Sequence, residues 1–338
     1  MKFNKKIALI IVIICFLGSL VFLSYSFLLT SGKLKNPIDT NQSTNSDSKN
    51  PKDMFDTLSV DDKFDELNAT NEKYSDIYSL LVLGNDKRYE QETSFRTDTI
   101  LVISINKKTN EVLFTSVPRD SWLTGKRINE IFIVDGEDEL KKQMTIITGL
   151  PITNFAMIDF AHFVDMIDAI GGLTIDVPNG FTDEDYPNDR QGGDGIHTVT
   201  INSGTQIMDG ETALVYSRSR KGNNREGSDF KRMKRQQNIL KALPASFFKA
   251  KNFNPNNAEA IFNQAQLLLT MDVKLDEFLV LFDMLKDHDK YIYKNLVLST
   301  TNYLYNPPLQ DYGGAYVLRP NDESFEEVRT EVARLIGL

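Results

Sequence analysis

The chain has 338 residues, 41% of them hydrophobic and 25% charged, enough to bury one large core or two modest ones. Its formal net charge of −9 argues against a general affinity for nucleic acid or an anionic membrane surface. The lone cysteine, Cys15, excludes an intrachain disulfide and a cysteine-based metal cluster, and the scattered His162, His197 and His288 speak against zinc.

Lys2, Lys5 and Lys6 precede an uncharged run from Ile7 to Leu29. That length suits a bilayer-spanning helix and exceeds a signal-peptide core. Residues 1–30 are therefore expected to be a cytoplasmic tip and signal anchor, with everything from Ser31 outside the cytoplasm. A cleaved signal peptide is the alternative. Residues 31–75 are expected to be an extracellular linker, because 31–52 is rich in Asn, Ser, Thr, Asp, Lys and Pro. Apolar residues between Met54 and Leu67 allow one or two short amphipathic helices there.

Periodicity predicts strands at Tyr78–Leu83, Thr99–Asn106 and Glu111–Ser116, the last two joined by a Lys107-Lys108-Thr109-Asn110 turn that suits a hairpin. Asn154–Ile158 reads as a strand and Phe160–Ile170 as a helix stopped by Gly171-Gly172. Leu173–Val177 is a strand before Pro178. The acidic, glycine-rich stretch 179–195 reads as a solvated insertion, and Thr198–Ile201 as a short strand. Asp209 opens a helix or turn, and Ser228–Ala250 is a long helix. Further helices are expected at Ala258–Leu269 and Leu275–His288, then a strand at Tyr316–Leu318 and a final helix capped by Asn321. Strands and helices mix without strict alternation, so the fold class is α/β or α+β, a layered sandwich with a mixed sheet.

The window from Tyr216 to Gln236 is basic in an acidic protein. It holds Arg218, Arg220, Lys221, Arg225, Lys231, Arg232, Lys234 and Arg235 against Glu226 and Asp229. If Ala213–Tyr216 were extended, Arg218 and Arg220 would share a face. Asp229, Arg232 and Gln236 fall on one helical stripe that continues into Ile239, Leu240 and Leu243, toward the core. Two readings are open. One is a solvated helix with an internal ion pair; the other is a cradle for phosphate, whose oxygens match a guanidinium fork two at a time.

Asp86 ends the first strand, and Arg96 and Asp98 open the second. A hairpin centred near Lys108 brings Arg119 to the same sheet edge. Paired carboxylates with phosphate oxygens are how magnesium is usually held, while plain ion pairing among Asp86, Asp98, Arg96 and Arg119 is the rival reading. No nucleophile elbow or Walker loop is present.

These segments, in order, resemble the LytR-CpsA-Psr family of envelope phosphotransferases. The resemblance is carried by Leu83-Gly84-Asn85-Asp86-Lys87-Arg88, Arg96-Thr97-Asp98-Thr99, Val117-Pro118-Arg119-Asp120 and Asp168-Ala169-Ile170-Gly171-Gly172. It continues in Met208-Asp209-Gly210-Glu211-Thr212-Ala213-Leu214, Arg218-Ser219-Arg220 and Asp229-Phe230-Lys231-Arg232-Met233-Lys234-Arg235-Gln236. It covers roughly Ser79 to Leu243 and implies a three-layer α/β/α catalytic domain, here 76–250. Residues 251–338, the least family-typical part, are expected as a lineage-specific addition of helices and a strand packing on or extending that domain. It implies transfer of a phosphoglycan, such as a teichoic-acid-like or capsular polymer, from a polyprenyl-pyrophosphate carrier to a peptidoglycan sugar hydroxyl. Carried over by residue, it implies magnesium (or manganese) at Asp86 and Asp98, and pyrophosphate contacts from Arg96, Arg119, Arg218, Arg220, Arg232 and Gln236, with Arg127 as a further contact where the family often has a lysine. Arg96, Arg119, Asp229 and Arg232 would act in catalysis, Asp229 as proton acceptor. The implied partners are the lipid-linked glycan, peptidoglycan and the membrane, with no nucleic acid. A pyrophosphate hydrolase and a non-catalytic membrane-anchored regulator are the rival functions.

Overall fold

The structure is a computed structural model. It describes residues 71–86, 96–188, 195–249, a few helical positions between 259 and 266, and 269–338. The expected anchor, nearly all of the linker and its short helices lie outside the described residues. Among the described residues, no helix is long and apolar enough to cross a membrane.

Three strands open the fold: β1 (Ile77–Asn85), β2 (Thr97–Asn106) and β3 (Glu111–Ser116). The predicted turn at 107–110 closes β2 onto β3, with Asn106 Oδ1 accepting from the Lys108 and Thr109 amides and Asn110 taking a positive φ of 55°. A stretch without assigned elements in the sequence reading then forms a hairpin, β4 (Trp122–Leu123) and β5 (Lys126–Arg127), and two helices, α1 (Ile128–Asp135) and α2 (Glu137–Thr148). Next come β6 (Asn154–Ile158), α3 (Phe160–Ala169), β7 (Leu173–Val177), β8 (Phe181–Pro187), β9 (Ile196–Ile201) and β10 (Gly204–Met208). Helices α4 (Gly210–Arg218) and α5 (Asp229–Lys249) carry the basic window. The C-terminal part adds β11 (Thr270–Met271), α6 (Leu275–Lys286), β12 (Ile292–Val297), β13 (Leu304–Tyr305), β14 (Arg319–Pro320) and α7 (Glu326–Ile336).

The central sheet is six-stranded and mixed, in the order β11-β6-β1-β2-β3-β12. β1 and β3 run antiparallel to β2, while β6 lies parallel to β1 and β12 parallel to β3. Helices cover both faces. One face carries Leu81, Leu83, Ile100, Val102 and Leu113 into a core with α1, α2 and α7. The other carries Leu101, Ile105, Val112 and Phe114 toward α5 and α6. A third cluster joins α3, α4 and α5 to two small antiparallel sheets, β7 with β10 and β8 with β9. The C-terminal residues 269–338 thus extend the same sheet, since β11 and β12 are its two edges.

Several expectations change. Ala213–Tyr216 is helical, not extended; Asp209 accepts from the Thr212 amide and caps α4, so Arg218 closes a helix and Arg220 follows it. The acidic stretch is not simply a solvated insertion, because 181–187 pairs with β9 and Asp183 is 1% exposed. The strand expected at 316–318 lies at 319–320, with Leu318 making an isolated bridge to Ser121. Asn321 does not cap the last helix. Its side-chain Nδ2 donates to the Asn302 carbonyl, and the Asp322 carboxylate accepts from the Ser324, Phe325 and Glu327 backbone amides. His288 sits in a separate 3-10 turn beyond α6.

Candidate active site

A cavity of about 820 Å³ lies between the central sheet and the helices α3, α5 and α6. It follows from strand alternation. On β1, Leu81 and Leu83 are fully buried in the filled core, so Tyr78, Leu80 and Val82 must point the other way. Leu240, Leu243, Phe278 and Phe282 face them across the gap. The cavity's walls are mainly apolar and it opens at the strand ends, so it can take a ligand with an apolar part.

The strand ends make its mouth. Asp86 Oδ1 accepts from the Arg96 amide at 2.7 Å, and the Asp86 amide donates back to the Arg96 carbonyl at 3.2 Å. Gly84 lets β2 close tightly here, since a Cβ would lie 2.9 Å from Cβ of Thr99. Asp98, one position before Thr99, meets Arg119 as the hairpin requires: Nη1 donates to Oδ2 at 2.5 Å. The other oxygen of Asp98, Oδ1, is buried without a hydrogen-bond partner, as is Arg119 Nε. Burial opposes the Arg119 charge, but Asp98, Asp120 and Asp229 outweigh it and hold its pKa above the ordinary value.

From the other wall, α5 supplies Asp229, Arg232 and Gln236. Arg232 is 5% exposed; its Nη2 donates to the Asp98 carbonyl at 2.9 Å and lies 3.0 Å from Asp229 Oδ1. Burial lowers its pKa, with Asp229 and Asp98 opposing and Arg220 and Arg119 adding to the effect. Arg220 Nε is 3.3 Å from the same Asp229 oxygen. Gln236 donates to Thr99 Oγ1 at 3.0 Å and to the Ser217 carbonyl, tying α5 to β2 and α4. The Arg218 guanidinium sits over Phe160, its Cζ 4.0 Å from the ring centre. Asp86, Asp98, Arg218, Arg220, Asp229, Arg232 and Gln236 all line the cavity. Arg96 is exposed and does not line it. Arg127 is also off the cavity, donating to Glu130 at 2.9 Å and lying 3.9 Å from Asp120.

Two groups outside the predicted set fix the arginine loop. Asp183 Oδ2 accepts from Ser219 Oγ at 2.5 Å and from the Arg220 and Lys221 amides, and these donors hold its carboxyl below the ordinary value despite burial. Arg235, 3% exposed, is not a ligand arm. It donates to the carbonyls of Tyr216, Ser219 and Glu226 and to Glu226 Oε2, so the loop is built around it. The only trace of this in sequence was the count of opposite charges in 183–185 and 218–235.

The carboxylate pair fits a magnesium ion. Asp98 has a buried oxygen without a partner, and Asp86 shares its cavity. Among the described residues no three His, Cys, Asp or Glu gather where they could hold a metal ion by themselves. One or two carboxylates completed by substrate phosphates is magnesium's usual arrangement.

Residues 38–334 match the LytR_cpsA_psr family. The chain is similar to the polyisoprenyl-teichoic acid–peptidoglycan teichoic acid transferase TagV of Bacillus subtilis (strain 168), 25% identical over 285 residues, covering 82% of this chain and 69% of that protein. It is similar to TagT of the same strain, a transferase of the same description, at 24% over 272 residues and 78% of each chain. A solved structure of TagT bound to LIIa-WTA superposes with a TM-score of 0.57 at 22% identity, over 78% of this chain and 92% of that one, which is a likeness of fold. Both relatives are transferases, in line with the activity expected from the motifs. On the match across 38–334, this chain belongs to the LytR-CpsA-Psr family.

Proposed function

We propose that the protein transfers a phosphoglycan from a polyprenyl-pyrophosphate carrier to a sugar hydroxyl of peptidoglycan, outside a membrane in which its N-terminus is anchored. The observation that carries this reading is the junction of two unlike environments: an apolar cavity of about 820 Å³ opens on the guanidinium groups of Arg218, Arg220 and Arg232. A lipid diphosphate has that same division, an apolar tail and a multiply charged head. The names of TagV and TagT, which describe moving a polyisoprenyl-linked polymer to peptidoglycan, support the choice of acceptor.

The tail lies between the sheet and α5 and α6, excluding water. The diphosphate meets Arg218, Arg220 and Arg232 at the mouth, with Arg119 holding Asp98, and Arg96 and Arg127 at its margins. Gln236 keeps the two walls in register. Asp86 and Asp98 would hold magnesium, which neutralises charge on the diphosphate oxygens. The acceptor hydroxyl attacks the phosphorus joined to the glycan, the bond from that phosphorus to the bridging oxygen breaks, and polyprenyl phosphate leaves. Asp229, whose oxygens are buried and take no hydrogen bond, receives the hydroxyl proton once the diphosphate engages Arg220 and Arg232.

The test uses the full chain in detergent with a lipid-linked polymer, peptidoglycan and magnesium. Covalently attached polymer is expected, lost on chelation. Asp98→Ala combined with Arg119→Ala is expected to lower the rate by about 10³-fold or more. Full activity in that double variant would overturn the reading, and polymer released equally without acceptor would make the enzyme a hydrolase.

A further inference from the structure

The transfer above needs a seat for the sugar that attacks, and the apolar cavity offers none. Arg119, Asp120 and Arg127 stand at the mouth without lining the cavity. The segment that leads to β14 is laid directly against them. The Leu318 amide donates to the Asp120 carbonyl at 2.9 Å, and the Trp122 amide donates to the Leu318 carbonyl at 2.8 Å. This docking brings the segment that carries Tyr312 and Tyr316 beside the Asp120–Trp122 backbone. Trp122 is half-buried and pairs across the β4–β5 hairpin with Arg127. Tyr312 packs edge-on to Trp122, ring centres 5.2 Å apart. Tyr316 is 47% exposed and lies two residues before Leu318, whose amide holds the Asp120 carbonyl.

Half-exposed aromatic rings beside a carboxylate and an arginine are poorly explained as core. They suit a ligand with one apolar face and a rim of hydroxyls, which is the make-up of a pyranose ring. We propose that Trp122, Tyr312 and Tyr316 form a ledge on which an N-acetylated sugar of the acceptor glycan stacks, with Asp120 accepting a hydrogen bond from one of its hydroxyls. The ledge rests on the transferase reading and deepens it by giving the acceptor its own subsite. It also gives residues 302–320 a task beyond covering the sheet. The same sugar chemistry is present on the donor glycan, so a test has to separate the two sources.

Trp122 is the only tryptophan of the chain, so intrinsic emission reports on the ledge without a label. The full chain in detergent is titrated with a soluble tetrasaccharide of alternating N-acetylglucosamine and N-acetylmuramic acid. A saturable change in emission is expected. Tyr316→Ala should weaken binding about tenfold and raise KM for acceptor while leaving KM for the lipid diphosphate alone, whereas Tyr316→Phe should bind within about twofold of wild type. In a second arm, the ligand is N-acetylglucosamine on a short prenyl diphosphate. A response to that donor analogue but not to the tetrasaccharide would assign the ledge to the donor glycan and overturn the proposal. No response to either, with the donor analogue still bound by calorimetry, would overturn the ledge and spare the transferase reading. Tetrasaccharide bound with no affinity for any prenyl diphosphate would do the reverse. Thermal unfolding of Tyr316→Ala close to wild type ensures that lost binding is not lost folding.

Discussion

On one face of the central sheet, Leu81, Leu83, Ile100 and Val102 are no more than 2% exposed and are sealed by α1, α2 and α7. On the other face, Leu80, Val82 and Ile103 come from the same strands, one residue along, yet remain only partly buried and border the cavity. Both faces present aliphatic side chains, the filled one interrupted by the buried Ser79–Ser104 pair. What differs is the covering: on one side the helices fill the space, and on the other they leave the cavity. On the filled face, side chains from three helices close over the strands in one continuous buried cluster. On the hollow face, α5 is held at the mouth by polar contacts, from Arg232 to the Asp98 carbonyl and from Gln236 to Thr99 and Ser217. Gln237 adds donors to the Phe114 and Leu296 carbonyls and Ser116 Oγ. Polar contacts of fixed length thus set part of the spacing that packing sets elsewhere.

Truncating each face is the largest test of that contrast. Leu81→Ala is expected to cost about 2–5 kcal/mol, because it opens a new void in a filled core. Leu80→Ala borders space that already exists and should cost about 1 kcal/mol or less. Denaturant unfolding measures both, and equal losses would break the comparison. Ligand stabilisation comes next. A short prenyl diphosphate at a hundred times its Kd should stabilise the wild type by about 2.7 kcal/mol in thermal unfolding. Val82→Phe, which fills the hollow face, should abolish that gain while leaving unliganded stability nearly unchanged. Third, Val102→Phe on the filled face should cost about 1–3 kcal/mol through overpacking. A Val82→Phe loss as large as that would mean the second face is filled too.

The smallest effect concerns charge. Asp183 holds the arginine loop as a carboxylate, and its pKa is depressed on folding. A depressed carboxyl stabilises the fold above its unfolded value, about 3.9, and loses that contribution as pH falls through its folded value. Asp183→Asn should therefore lower stability near neutral pH and flatten the fall in melting temperature below about pH 4, compared with wild type. Parallel profiles for the two proteins would show that the loop is held by other means.

Much of the mouth was legible in the sequence. The β2–β3 hairpin is a local element with its own turn chemistry, so the meeting of Asp98 and Arg119 follows from counting along two adjacent strands. The Asp229, Arg232 and Gln236 stripe follows in the same way from helical spacing. Both depend on contacts a few residues to about twenty apart. The helical state of Ala213–Tyr216 was missed because the Asp209 cap, several residues upstream, decides it, while the run itself is apolar enough for either state.

Other features belong to tertiary structure alone. Asp183 reads as one of several acidic loop residues until β8 is folded against Ser219 and Arg220, some 36 residues later. The edge strand β12 and the segment docked on Trp122 find their partners across most of the domain. The cavity is the clearest case. The amino-acid order determined that both faces of these strands would be apolar and that arginines and carboxylates would gather at their ends. Only the assembled helices decided that one apolar face would be filled and the other left open, because hydrophobicity specifies removal from water and not what does the removing.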